Sequence, residues 1–205
     1  MQTPANKGLH QVQEYTRMNL GMILIAVSIL WVGSEIVLAR TKHSRPTDAR
    51  FDKSSLRMLW VTICIAVNAG ILLGFQHIGY FGSASRIFPI TGLILIVCGL
   101  LVRWIAIFSL KQQFTVDVAI TKDHHIVRKG VYRFVRHPAY AGSLLSFLGL
   151  GLCFTNYLSI LVIFLPICSA FLYRIHIEEK TLIGAFGDEY LIYCRSTRRL
   201  IPGIF

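Results

Sequence analysis

Uncharged runs dominate the chain, and their lengths are the first guide to its elements. A helix needs roughly 20 apolar residues to cross the hydrocarbon core of a bilayer. Seventeen uncharged residues lie between Arg17 and Glu35, 28 between Arg57 and Arg86, 16 between Arg86 and Arg103, and 37 between Arg136 and Arg174. Ile36 to Ala39 prolong the first run, and Trp104 to Leu110 prolong the third. The fourth is too long for one span and is interrupted at Thr155-Asn156, so it reads as a hairpin of two short helices. The pattern predicts five spans near 18–39, 58–79, 87–109, 138–155 and 158–174, and hence an all-α, polytopic integral membrane protein.

Composition removes the alternatives. The 205 residues are 54% hydrophobic and only 15% charged, with mean hydropathy +0.59. A soluble domain of this size carries roughly 25% charged residues, and a disordered chain is polar and charge-rich. The net charge of +11 would suggest nucleic acid in a soluble protein, but its distribution follows the positive-inside rule instead. Arg40, Lys42, Arg45, Arg50, Lys53 and Arg57 lie in one connection, and Lys111, Lys122, Arg128, Lys129, Arg133 and Arg136 in another. Five more basic residues follow from Arg174 onward, whereas the intervening segments hold Lys7 and Arg17, Arg86 alone, and none. This alternation places the N-terminus outside and the C-terminus in the cytosol, with the lipid bilayer as partner and no nucleic acid. The first apolar run reads as a retained span rather than a cleaved signal.

Few polar groups stand at membrane depth. Glu35 is close enough to Arg40 to pair, as an interfacial carboxylate. Arg103 lies about two helical turns before Lys111 and either snorkels or turns inward. Asn68 and His77 read as hydrogen-bond partners between helices or as interface residues, rather than ligands. No metal site is expected, because the seven histidines and five cysteines lack zinc-type spacing. The pair His124-His125 reads as a solvated loop. No P-loop and no GxGxxG after a strand is present.

The chemistry is therefore expected at the cytosolic rim, in two segments. In the first, running from Lys129 to Tyr140, Pro138 suits the first position of a helix and biases His137 away from helical geometry. The N–H groups at the start of that helix form an anion site. In the second, from Tyr173 to Tyr193, Arg174 and Glu178 share a helix face at i,i+4, with Glu179 beside them. Leu182, Phe186, Tyr190 and Tyr193 continue an apolar stripe, which predicts a C-terminal cytosolic amphipathic helix. A hairpin returns the chain to the side it left, so both segments meet at one rim.

In order, the chain carries Gly130-Val131-Tyr132, Arg136-His137-Pro138-Ala139-Tyr140, Glu178-Glu179, and Phe186-Gly187 followed by Tyr190 and Tyr193, with Pro202 beyond. This set resembles the membrane family of isoprenylcysteine carboxyl methyltransferases and phospholipid methyltransferases, over roughly the last hundred residues. The resemblance implies an S-adenosylmethionine-dependent methyltransferase with three N-terminal spans (1–110) and a cofactor-binding core (111–205). It implies that Gly130, Tyr132, His137, Pro138 and Tyr140 line the cofactor site, with Glu178 completing it and Arg136 holding an anionic group. It further implies catalytic roles for Arg174, which orients the methyl acceptor, and for Glu178. The expected acceptor is the carboxylate of a prenylated cysteine or a similar lipidic molecule, with a phospholipid amine or small thiol as alternatives. An NADPH-dependent sterol-type reductase and a catalytically silent scaffold are the competing classes.

Overall fold

The computed structural model describes residues 22–23, 25–38, 53–76, 79–80, 87–110 and 126–205. Most of the two basic connections, together with Arg40, His77 and His124-His125, lies outside the described residues, and so does the suggested pairing of Glu35 with Arg40. The described residues are helical apart from turns and two isolated bridges. The chain divides into two units, Met1–Arg40 and Thr41–Phe205. The first contributes one apolar helix, α1 (Ile25–Leu38). The second contains α2 (Lys53–Gly74), α3 (Ile87–Leu110), a 3-10 turn (Gly130–Arg133), α4 (Pro138–Cys153), α5 (Tyr157–Phe186) and α6 (Asp188–Ser196). Residues 54–74 of α2, with α3 and α5, are long and apolar enough to cross a membrane, while α1 and α4 are shorter apolar helices. Ile65, Leu72, Leu101 and Phe108 project outward from α2 and α3, as lipid-facing side chains should.

Between helices in lipid, close backbone approach replaces hydrophobic burial as the source of affinity, and small residues permit it. α3 and α4 run antiparallel along such a seam. A Cβ placed on Gly92 would collide with the Gly149 carbonyl oxygen, and one on Gly149 with that of Gly92. Gly99 and Gly142 stand in the same reciprocal relation one heptad along. Between them the buried Ser146 hydroxyl reaches the Ile96 carbonyl at 3.2 Å and the Gly142 carbonyl at 3.1 Å.

The second seam joins α2 and α5 in one antiparallel register. At one end Asn156, fully buried, donates from Nδ2 to the Leu73 carbonyl at 3.0 Å. Its Oδ1 accepts from Leu158 N at 2.9 Å and Ser159 N at 3.3 Å, so one side chain caps α5 and holds the hairpin to α2. In the middle Ser159 Oγ donates to the Gly70 carbonyl at 2.8 Å. At the other end Ser55, in the first turn of α2, meets Arg174. Ser55 and Leu73 are about 27 Å apart along the helix axis at 1.5 Å per residue, close to the thickness of a hydrocarbon core. The Thr155-Asn156 break is thus the turn between α4 and α5.

Two expectations are corrected. The helix begun at Tyr157 does not end near Arg174; it continues to Phe186, so Arg174, Glu178 and Glu179 belong to the apolar helix itself. The break comes at Gly187, whose backbone (φ +52°, ψ −128°) suits a residue without Cβ, and the C-terminal helix is the short α6. Asn68 does not bridge helices, since its Nδ2 donates to the Cys64 carbonyl of its own helix at 2.7 Å.

The seams give opposite signs for two glycine changes. Gly142→Val drives a side chain into the backbone of α3 and should cost about 3 kcal/mol. Gly184→Ala, in α5 with open space around it, should stabilise by about 0.5–1 kcal/mol. Thermal unfolding of the purified protein in one detergent checks both, and a neutral Gly142→Val would refute the seam.

Candidate active site

The site is assembled where the start of α4 meets the middle of α5. Gly130 opens the approach in a left-handed conformation (φ +62°), which turns the chain into the 3-10 turn. Tyr132 closes under α4, buried with Ala106 and Ala139. Its carbonyl accepts from the Tyr193 hydroxyl at 2.7 Å. Pro138 occupies the first turn of α4, with His137 as the capping residue before it.

Arg174 is the largest fully buried side chain among the described residues, at 2% exposure. Its Nε donates to the Tyr140 hydroxyl at 3.0 Å, and Nη1 donates to Ser55 Oγ at 3.1 Å. The Tyr140 hydroxyl in turn donates to Glu178 Oε2 at 2.8 Å. The phenol therefore links a buried cation to a carboxylate whose side chain is 26% exposed. The i,i+4 spacing puts both groups on one face of α5, and a third residue, from α4, links them.

His137 completes the layer. Its ring lies nearly parallel to that of Tyr140, with centroids 5.7 Å apart and planes 7° from parallel. Nδ1 stands 3.8 Å from Glu178 Oε2, and Nε2 stands 3.4 Å from Glu179 Oε1, too poorly aligned to count as a hydrogen bond. The ring is thus held between the two adjacent glutamates of α5. Phe171 also packs against Tyr140, with ring centroids 5.3 Å apart and planes tilted by 44°.

Arg136 lies beside this layer but is committed elsewhere. Its Nε donates to Glu179 Oε1 at 2.9 Å, and Nη1 reaches the carbonyls of Cys194 (3.0 Å) and Thr197 (2.6 Å). Those carbonyls end α6 and need donors, which the guanidinium supplies. Arg103 takes the inward placement, with Nη1 3.0 Å from Ser143 Oγ and 3.4 Å from the Ala139 carbonyl at the start of α4. Beyond the spans, burial and the Glu178 charge push the Tyr132 phenol well above its ordinary range, and burial lifts that of Tyr193 to about 12. Both remain neutral donors at physiological pH.

Ser55, Glu179 as a shared acceptor, and Arg199 were not singled out from the sequence. The serine is one of two at the start of α2, and only the antiparallel register puts it beside Arg174. The adjacent Glu178 and Glu179 are legible as a pair, but not which of them faces Tyr140.

The chain is similar to known proteins in both sequence and fold. Residues 92–184 match the model of the isoprenylcysteine carboxyl methyltransferase family. The protein-S-isoprenylcysteine O-methyltransferase of Saccharomyces cerevisiae is 33% identical over 192 residues, covering 91% of this chain and 80% of its own. Protein-S-isoprenylcysteine O-methyltransferase A of Arabidopsis thaliana is 35% identical over 197 residues, covering 93% and 94%. A solved structure of a eukaryotic intramembrane Ras methyltransferase, isoprenylcysteine carboxyl methyltransferase, superposes with a TM-score of 0.61 at 30% identity. That match covers 69% of this chain and 52%, about half, of the solved one. With its apolar helices, its seams of small residues and relatives matched over nearly its whole length, the chain belongs to the isoprenylcysteine carboxyl methyltransferase family and is an integral membrane methyltransferase.

Proposed function

We propose that this chain transfers the methyl group of S-adenosylmethionine to the carboxylate of a prenylated cysteine or a similar lipidic acceptor, at a site facing the cytosol. The carrying observation is the Arg174–Tyr140–Glu178 chain of hydrogen bonds, with its cation buried and its carboxylate partly open to solvent. Removing a guanidinium from water costs several kcal/mol, so a buried arginine held in one orientation by Tyr140 and Ser55 points to a role beyond packing. The planar guanidinium of Arg174 suits an acceptor carboxylate, which it can grip with two-point geometry. Glu178, at the open end, suits the ammonium or sulfonium of the methyl donor.

The remaining residues fit that donor. The flat stack of His137 on Tyr140 offers a wall, with Tyr132 buried against Ala139 of α4 and with Gly130 and Pro138 setting the path of the backbone. Arg136, expected to hold an anion, is assigned instead to fastening the end of α6, because its Nε donates to Glu179 and its Nη1 to the Cys194 and Thr197 carbonyls. The donor's sulfonium supplies an activated methyl group and a neutral thioether leaving group. An ionised carboxylate is already a nucleophile and needs no general base, so the protein's contribution is alignment and exclusion of water. A lipidic acceptor reaches Arg174 from the bilayer, and the soluble donor reaches Glu178 from the cytosol.

Arg174→Lys should lower kcat about 100-fold while changing donor affinity less than threefold, because a point charge cannot reproduce the planar grip of a guanidinium. Glu178→Gln should instead weaken donor binding about tenfold, the effect of one charge-assisted contact. Turnover of a farnesylated cysteine analogue and calorimetric titration with S-adenosylmethionine separate the two defects. If the charge-swapped variant, Arg174→Glu with Glu178→Arg, kept near-normal turnover, only mutual attraction would matter and the assignment would fall. Thiol labelling of a single cysteine introduced at Lys129 should occur from the cytosolic face, and labelling from the opposite face alone would reverse the orientation.

A further inference from the structure

Beyond α6 the chain does not leave the site but folds back across it. Residues 197–200 lie alongside 134–137 as a short parallel pairing. Arg136 N donates to the Arg198 carbonyl at 2.8 Å, His137 N to the Arg199 carbonyl at 3.0 Å, and Arg198 N to the Phe134 carbonyl at 3.1 Å. Thr197 and Leu200 are buried at either end. The backbone of His137, which caps α4, is therefore held by the backbone of Arg199. The same arginine is the segment's own side-chain tie to α5: its Nε stands 3.0 Å and its Nη2 2.9 Å from Glu179 Oε2. Its guanidinium also lies over the Phe205 ring, 5.6 Å from the centroid. The other oxygen of Glu179 takes Arg136 and faces His137 Nε2.

Nothing in the proposed chemistry uses Arg199, and its side chain is 42% exposed, more than a packing residue requires. Its connections nevertheless run to the capping histidine twice, by backbone at the main chain and by Glu179 at the ring. We propose that Arg199 is a positioning residue: it locks segment 197–200 across the loop before α4 and so fixes the His137 ring against Tyr140 as a wall of the methyl-donor site. This rests on the donor-site reading given above. Strapping the loop before the donor arrives lowers the ordering cost of binding, which should appear in donor affinity and not in the acceptor's KM.

Full-length Arg199→Gln, purified in detergent, should bind S-adenosylmethionine about tenfold more weakly, the scale of one charge-assisted contact. KM for a farnesylated cysteine analogue should stay within twofold, and Arg199→Lys should recover most of the donor affinity. Because the tie runs through Glu179, Arg199→Gln added to Glu179→Gln should produce no further loss. Unchanged donor affinity in Arg199→Gln overturns the proposal. So does an equal weakening of donor and acceptor, or fully additive losses in the double variant. If Arg199→Gln does not fold, Phe205→Ala, which removes the ring beneath the guanidinium, should weaken donor binding in the same direction, and no change there overturns the proposal equally. Absence of S-adenosylmethionine binding to the unaltered protein would instead remove the donor-site reading itself.

Discussion

A guanidinium buried inside a bundle of apolar helices constrains everything around it. Its desolvation is expensive, and an isolated cation at such depth would destabilise the fold by more than most single contacts supply. The groups that keep Arg174 there include the hydroxyl of Ser55 on α2, the phenol of Tyr140 on α4, and through that phenol the carboxylate of Glu178 on its own helix. For these atoms to meet, α2 must lie antiparallel to α5 in one register, and α4 must begin beside the middle of α5. The Asn156 turn and the Gly70–Ser159 contact fix the first condition. The glycine seam with α3 and the pairing of the His137 loop with segment 197–200 fix the second.

The division of labour along α5 follows from its length. A helix that stopped at the membrane edge would leave Arg174 and Glu178 on separate elements, free to move apart. Because α5 continues unbroken from Tyr157 to Phe186, one turn of a single rigid helix separates a buried cation from a water-accessible carboxylate. In the proposed function, that spacing sets the distance between the acceptor and the methyl donor.

Much of this was legible in the chain. Uncharged runs mark the helices, the Thr155-Asn156 interruption marks the hairpin turn, and His137-Pro138 marks the start of α4. These are local signals, written in residue type and spacing. Pairing between distant elements is not local. The seven-residue spacing of Gly92 with Gly99 and of Gly142 with Gly149 is visible, but no spacing says that these two pairs face each other. Ser55 acquires meaning only from the register of α2 against α5, and Arg199 only from the return of the chain across the loop. The length of α5 was misread because Arg174 looked like the end of an apolar run. A charge satisfied by neighbouring helices can sit within a span, and periodicity cannot report the neighbours.

The Tyr140 hydroxyl bonds to both the buried cation and the open carboxylate, which the proposed function assigns to acceptor and donor, so its removal tests the account most directly. Tyr140→Phe keeps the ring that packs on His137 and Phe171 and deletes only the link between Arg174 and Glu178. S-adenosylmethionine titration and single-turnover methyl transfer on that variant, at unchanged folded fraction, are the decisive pair of readings. The account predicts donor binding weakened about tenfold and the transfer step slowed by a comparable or larger factor. A variant that binds the donor and transfers the methyl group at the rates of the unaltered protein would contradict it.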